Sequence, residues 1–159
     1  MASRCNSFSG SVRYDLVCVL DVLEHCADDR ASLASLLPLL ARGGRVLVTV
    51  PAYDWLFGAH DLAHRHFRRY TYGRLRRVAR DAGFDVECGG YFNALLFPLM
   101  ALYRLLASLG MVRDDADVRM PSRALNGLFA WVFSLERGIV PRVKFPFGGS
   151  VIAVLRAPS

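Results

Sequence analysis

The sequence predicts an α/β fold built on a parallel, doubly wound sheet, and three observations carry that prediction. Apolar, valine-bearing runs stand at Tyr14–Leu20 and Arg45–Val50, and Phe84–Cys88 begins a third strand. Segments with helical apolar spacing lie between them, and glycine or proline stands at the junctions. Strands that alternate with helices in this way are the pattern of βαβ units.

Taken in order, residues 1–13 are polar, small and aperiodic, and read as a loose leader to a domain over 14–157. The run Tyr14–Leu20 reads as a strand covered on both faces. Asp28 and Asp29 supply an N-cap and a favourable charge for a helix whose Leu33, Leu36, Leu37 and Leu40 share one face. Pro38 kinks or shortens that helix, and Gly43-Gly44 ends it. A second strand, Arg45–Val50, stops at Pro51 and opens into a polar and aromatic loop that reaches Tyr70. Thr71 caps the next helix, with Leu75, Val78, Ala79 and Ala82 inward and Arg74, Arg76, Arg77 and Arg80 outward. Gly83 closes it before the third strand.

The alternation stops after Asn93. Residues 94–140 form an insertion of two apolar helices: one over 94–110 with Arg104 as its only charge, the other from about Ser122 to Arg137. A charged linker, Arg113 to Arg119, joins them, and Pro141, Pro146 and Gly148-Gly149 mark a loop before a last strand, Ser150–Leu155. Such helices bury against the sheet or a second copy, or lie in a membrane interface with Arg104 snorkelling to headgroups and Trp131 as an anchor.

Composition narrows the partners. The chain has 159 residues, 53% of them hydrophobic, and a net charge of +6 carried by arginine with Lys144 as the sole lysine. That balance favours anionic partners. No run reaches the length of a membrane-spanning helix, and 1–13 has no apolar signal-peptide core, so the expectation is a cytoplasmic protein, peripheral to the inner face of the membrane at most. Cys5, Cys18, Cys26 and Cys88 show no metal-binding spacing and read as reduced structural thiols, Cys18 buried in its strand.

The segments YDLVCVLDVLEH, LLARGGRVLVTVP, LRRVARDAGFDV and GGSVIAVLRA, in this order, resemble strands four to seven of a class I S-adenosylmethionine-dependent methyltransferase. HDLAHRHFRRYTYGRL is similar to an H-x-RRYT segment of a bacterial subfamily linked to glycan or lipid modification. The resemblance covers 14–157 and implies a partial Rossmann-like sheet of order 4-5-7-6, its last strand antiparallel. It implies methyl transfer from S-adenosylmethionine to a small, glycan- or lipid-linked acceptor, at oxygen. The family's glycine-rich cofactor loop and first three strands have no counterpart here. The expectation is therefore a fragment of a longer protein, or a chain whose partner or second copy covers the edge of strand four, with weak cofactor binding by the chain alone. The alternative is a non-catalytic domain that acts as a binding, dimerisation or membrane-surface module.

Ionisable residues at the end of a buried strand are costly without a purpose, which singles out Asp21, Glu24 and His25, unless they only cap the following helix. By resemblance, Asp21, Val22 and Leu23 line the cofactor pocket. D-x-x-E-H is also similar to the E-x-x-E-H of metal-assisted O-methyltransferases, which implies Asp21, Glu24, His25 and His64 as ligands of a divalent metal, with His60 and His66 as alternatives to His64. His64 and His66 are candidate general bases. Tyr53 and Trp55 are expected to shape the substrate mouth, with Arg68, Arg69 and Tyr70 beside them. The two arginines suit bidentate clamping of a phosphate. The other reading of His66 and Arg69 is packing of their loop. Nucleic acid is disfavoured, since no RNP-like motif or basic tail is present.

Overall fold

A computed structural model describes residues 12–111, 123–138 and 145–158 (backbone only for 123–125 and 137). The predicted leader up to residue 11, Cys5, the charged linker, Pro121, Pro141 and Lys144 lie outside the described residues, as does the side chain of Leu125. Four strands form one sheet: β1 (Tyr14–Leu20), β2 (Leu40–Pro51), β3 (Asp85–Phe92) and β4 (Ser150–Arg156), in the order β1-β2-β4-β3. β1 and β2 are parallel, with Val17 opposite Val46 and Val19 opposite Val48. β4 runs antiparallel between β2 and β3, pairing Ala153 with both Val48 and Gly89. This is the expected 4-5-7-6 arrangement.

Between β1 and β2, Asp28 caps α1 (Asp29–Ala34) by accepting from the Ala31 N–H at 2.8 Å. The predicted helix through Leu40 is corrected: α1 has six residues, and a 3-10 turn over Leu37–Leu39 follows. Pro38 has no N–H to continue an α-helix. Gly43-Gly44 is likewise not a helix cap but part of β2, where Gly43 takes φ +69°. The loop after β2 folds a 3-10 turn at Asp54–Leu56 and α2 (Ala59–Ala63). Thr71 caps α3 (Tyr72–Asp81) as expected, and Gly83 ends it at φ +92°. The insertion forms α4 (Phe97–Ser108) and α5 (Arg123–Arg137).

The core lies on one face of the sheet. Val46, Val48 and Val50 of β2 and Val151, Ala153 and Leu155 of β4 alternate inward under Leu33, Leu75, Ala79 and Phe84. The side chains between them on β1 point the other way, so Leu16, Cys18 and Leu20 are exposed. This corrects the reading of Tyr14–Leu20 as a strand covered on both faces, and of Cys18 as buried. Among the described residues β1 pairs only with β2, and α1 and α3 cover only the core face.

Close backbone approach fixes one turn. A Cβ on Gly148 would fall on the Phe92 carbonyl, which is backbone and cannot swing aside. Gly148→Ala is expected to destabilise the fold by roughly 1–3 kcal/mol, read as a lower urea midpoint.

Candidate functional site

The carboxyl ends of β1, β2 and β3 and the start of β4 share one rim of the sheet, where ligands bind in open α/β folds. Three non-glycine residues with positive φ sit directly there: Asp21 (φ 52°) after β1, Tyr53 (φ 59°) after β2 and Asn93 (φ 58°) after β3. Such backbone is costly for a bulky residue like Tyr53 and clusters at functional sites. The rim encloses a cavity of about 550 Å³. All four histidines of the chain, His25, His60, His64 and His66, line it. Asp21, Glu24, Arg69 and Arg104 supply its other charges.

Asp61, from α2, holds the histidine loop together. Its fully buried carboxylate accepts from Arg69 Nε and an Arg69 terminal nitrogen, both at 2.9 Å, and from the Gly58 N–H at 2.9 Å. It also meets His66 Nδ1 at 2.8 Å. Burial alone would push the Asp61 carboxyl up, but these hydrogen bonds together outweigh it and hold the group below the usual carboxylate range. An ionised Asp61 needs Nδ1 to carry a proton, which leaves His66 Nε2 as the acceptor nitrogen. The ring of His66 meets that of His25 edge-on at 4.6 Å, while His64 pairs with His60 at 4.4 Å.

Glu24 is buried, and its Oε2 has no hydrogen-bond partner. Burial raises its pKa to about 7. His25 is held below its ordinary value, first by burial and then by the neighbouring His66 and His64. Glu24, His25 and His66 each offer one donor atom, all within 4.8 Å of one another. This is the set among the described residues that could hold a metal ion; His66, not His64, joins it, and Asp21 does not. An unpartnered buried carboxylate oxygen beside two imidazoles fits a divalent cation chemically.

Other expected residues fall elsewhere. Asp21 lines the cavity and Val22 is exposed, but Leu23 is packed in the core and presents no wall to a ligand. Tyr70 is fully buried, its hydroxyl donating to Asp29 Oδ2 at 2.8 Å, so its assignment to the substrate mouth is corrected to a core role. Both guanidiniums expected to clamp a phosphate already face carboxylates. Arg68 lies 3.1 Å from Asp29 Oδ2 and donates to the Ala27 carbonyl, while Arg69 grips Asp61. Tyr53 and Trp55 join an aromatic group with Tyr91, Phe97 and Phe147; Tyr53 stacks on Tyr91 at 5.3 Å between ring centres.

Sequence reasoning missed Asp61 and the inward turn of Arg104. The first had a faint signal in the spacing Asp61–His66–Arg69, which one helical turn and a reversal bring together. The second had none, since a lone arginine on an apolar helix can face either way. Arg104 does not snorkel outward: it is buried against Gly58, at a place where a Cβ on Gly58 would overlap its guanidinium.

The sequence model of a family described as a methyltransferase domain matches residues 4–88, just over half of the chain. No curated protein matches. Among solved structures, phosphoethanolamine N-methyltransferase 2 of Haemonchus contortus, in complex with phosphomonomethylethanolamine and S-adenosylhomocysteine, is 16% identical with a TM-score of 0.50. The match covers 91% of this chain and 34% of that one. A chain in the Haloferax volcanii complex of the Trm112 methyltransferase activator with a methyltransferase is 18% identical over 94% of this chain and 57% of that one, TM-score 0.49. The [4+2]-cyclase SpnF is 18% identical over 92% of this chain and 51% of its own, TM-score 0.49. This chain therefore spans between about a third and just over half of the length of these structures.

Proposed function

Because this chain belongs to the methyltransferase-domain family, we propose that its rim cavity serves methyl transfer from S-adenosylmethionine to a hydroxyl of a small, glycan- or lipid-linked acceptor. One observation carries the proposal: acids from the end of β1 and histidines from the loop after β2 meet around a single cavity. S-adenosylmethionine, when bound, supplies an activated methyl group, so the chain must chiefly position the acceptor and take its proton.

In this reading Asp21 and the exposed Val22 face the cofactor, and His66 takes the acceptor's hydroxyl proton at Nε2. Asp61, fixed on Nδ1, orients the ring and stabilises the imidazolium that forms. His64, exposed on the rim, is the second candidate base. Tyr53 and Trp55 are not among the residues that line the cavity, and in this reading their aromatic group offers the acceptor a surface outside it. If a divalent cation takes part instead, Glu24, His25 and His66 are the residues that would hold it; the cation would lower the hydroxyl's pKa, and the proton would pass to His64 because His66 Nε2 is then a ligand. The proposed setting is the cytoplasm, where thiols such as Cys18, Cys26 and Cys88 stay reduced.

Titration of the isotope-labelled chain with S-adenosylmethionine, followed by NMR, tests the proposal. Amide shifts are expected at Asp21–His25, with affinity weaker than micromolar because the exposed β1 leaves the cofactor one wall. No shift there at millimolar ligand would leave the non-catalytic module as the better reading.

A further inference from the structure

Helices α4 and α5 are inside out. The only charge of α4, Arg104, is 8% exposed and lines the cavity, while Leu95, Leu99, Leu102, Leu105 and Leu109 follow one another at helical spacing along the exposed side. α5 repeats the inversion. Glu136, the only charge among its described side chains, is 2% exposed and accepts from the Ala94 N–H at 2.7 Å, while Leu128, Trp131 and Leu135 are exposed at the same spacing. A surface helix in water shows the opposite polarity. Exposed β1 does not account for these rows, because α4 leaves from β3, at the other edge of the sheet.

We propose that the outward leucine row of α4 and the Trp131 row of α5 seat the protein on an anionic lipid surface. A bilayer interface accepts an uncharged apolar helix face directly, and no helix among the described residues is long and apolar enough to cross a membrane, so the helices lie in the interface. Charge favours lipid over a second copy. The chain carries a net charge of +6, which anionic headgroups attract. A second copy would bring the same positive charge to the contact. The proposal stands on the polarity of the helices and not on the chemistry assigned to the cavity.

The test is co-sedimentation of the full chain with phosphatidylglycerol vesicles and, in parallel, phosphatidylcholine vesicles at low salt. The chain is expected to pellet with the anionic vesicles, and Leu99→Glu or Trp131→Glu to lower the bound fraction at least tenfold. Leu99→Ser gives a milder change should either acidic variant fail to fold. In a Trp55→Phe background, Trp131 fluorescence is expected to shift to the blue on binding. Absence of pelleting at low salt, or pelleting untouched by these variants, overturns the proposal. So does a dimer in solution that Leu99→Glu converts to monomer, since the row would then be covered by a second copy. Shifts induced by S-adenosylmethionine at Asp21–His25 are expected to survive in Leu99→Glu, so failure of one proposal is distinguishable from failure of the other.

Discussion

Asp61→Asn is expected to destabilise the chain by about 3–5 kcal/mol, because it leaves the Arg69 guanidinium buried without its counter-charge. The effect is large because one carboxylate serves three clients. It neutralises Arg69, receives the Gly58 N–H at the start of α2 and fixes the His66 ring. Asparagine keeps the shape but presents an amide donor where at least one partner is also a donor. Urea unfolding at pH 7 measures the loss, which is a substantial share of the 5–15 kcal/mol typical of a domain. Adding Arg69→Met should recover part of it, since the stranded charge is then gone. A loss under about 1 kcal/mol would place the pair among weak surface bridges and not at the centre of the loop.

Glu24→Gln is expected to change the pH dependence of stability. The folded pKa of Glu24 lies at about 7, above its ordinary 4.5. Between these values the folded chain holds a proton that the unfolded chain has released. Its contribution is therefore fully present below 4.5 and lost as pH rises through 7. Glutamine cannot ionise and escapes that loss. Variant and wild type should be equally stable near pH 4 and diverge above it, reaching roughly 3 kcal/mol in favour of the variant by pH 8. Unfolding midpoints taken across that range decide the matter, and parallel curves would show that Glu24 is solvated. Asp61 works in the opposite sense: its depressed pKa gives stability above the usual carboxylate range that disappears as the solution is made acidic.

β1, β2 and β4 were legible because each contains a compact apolar run, and Val46, Val48 and Val50 bury as their alternation requires. Thr71, Asp28 and Gly83 were legible because caps act locally, through one side chain or one φ angle. What sequence could not show was which apolar side chains lack a neighbour. Leu16 and Val19 look alike in the run Tyr14–Leu20, yet only Val19 meets the core. Arg69 and Tyr70 misled for the same reason. Both types suit a substrate mouth, and only the fold reveals that Asp61 and Asp29 already occupy them. The pairing of His25 with one histidine of the later loop is legible as a resemblance, but only the reversal after α2 brings all four rings to one cavity.

The position of β4 bears on how the chain is made. It is the last strand in sequence and sits between β2 and β3, which do not pair with each other. While the ribosome is still adding residues before Ser150, β3 has no partner in the sheet, and the β1–β2 pair has nothing on its far side. Closure of the sheet waits for the final residues of the domain, a long-range step of the kind that slows folding. Until then the nascent chain shows valine side chains of β2 that the finished sheet covers.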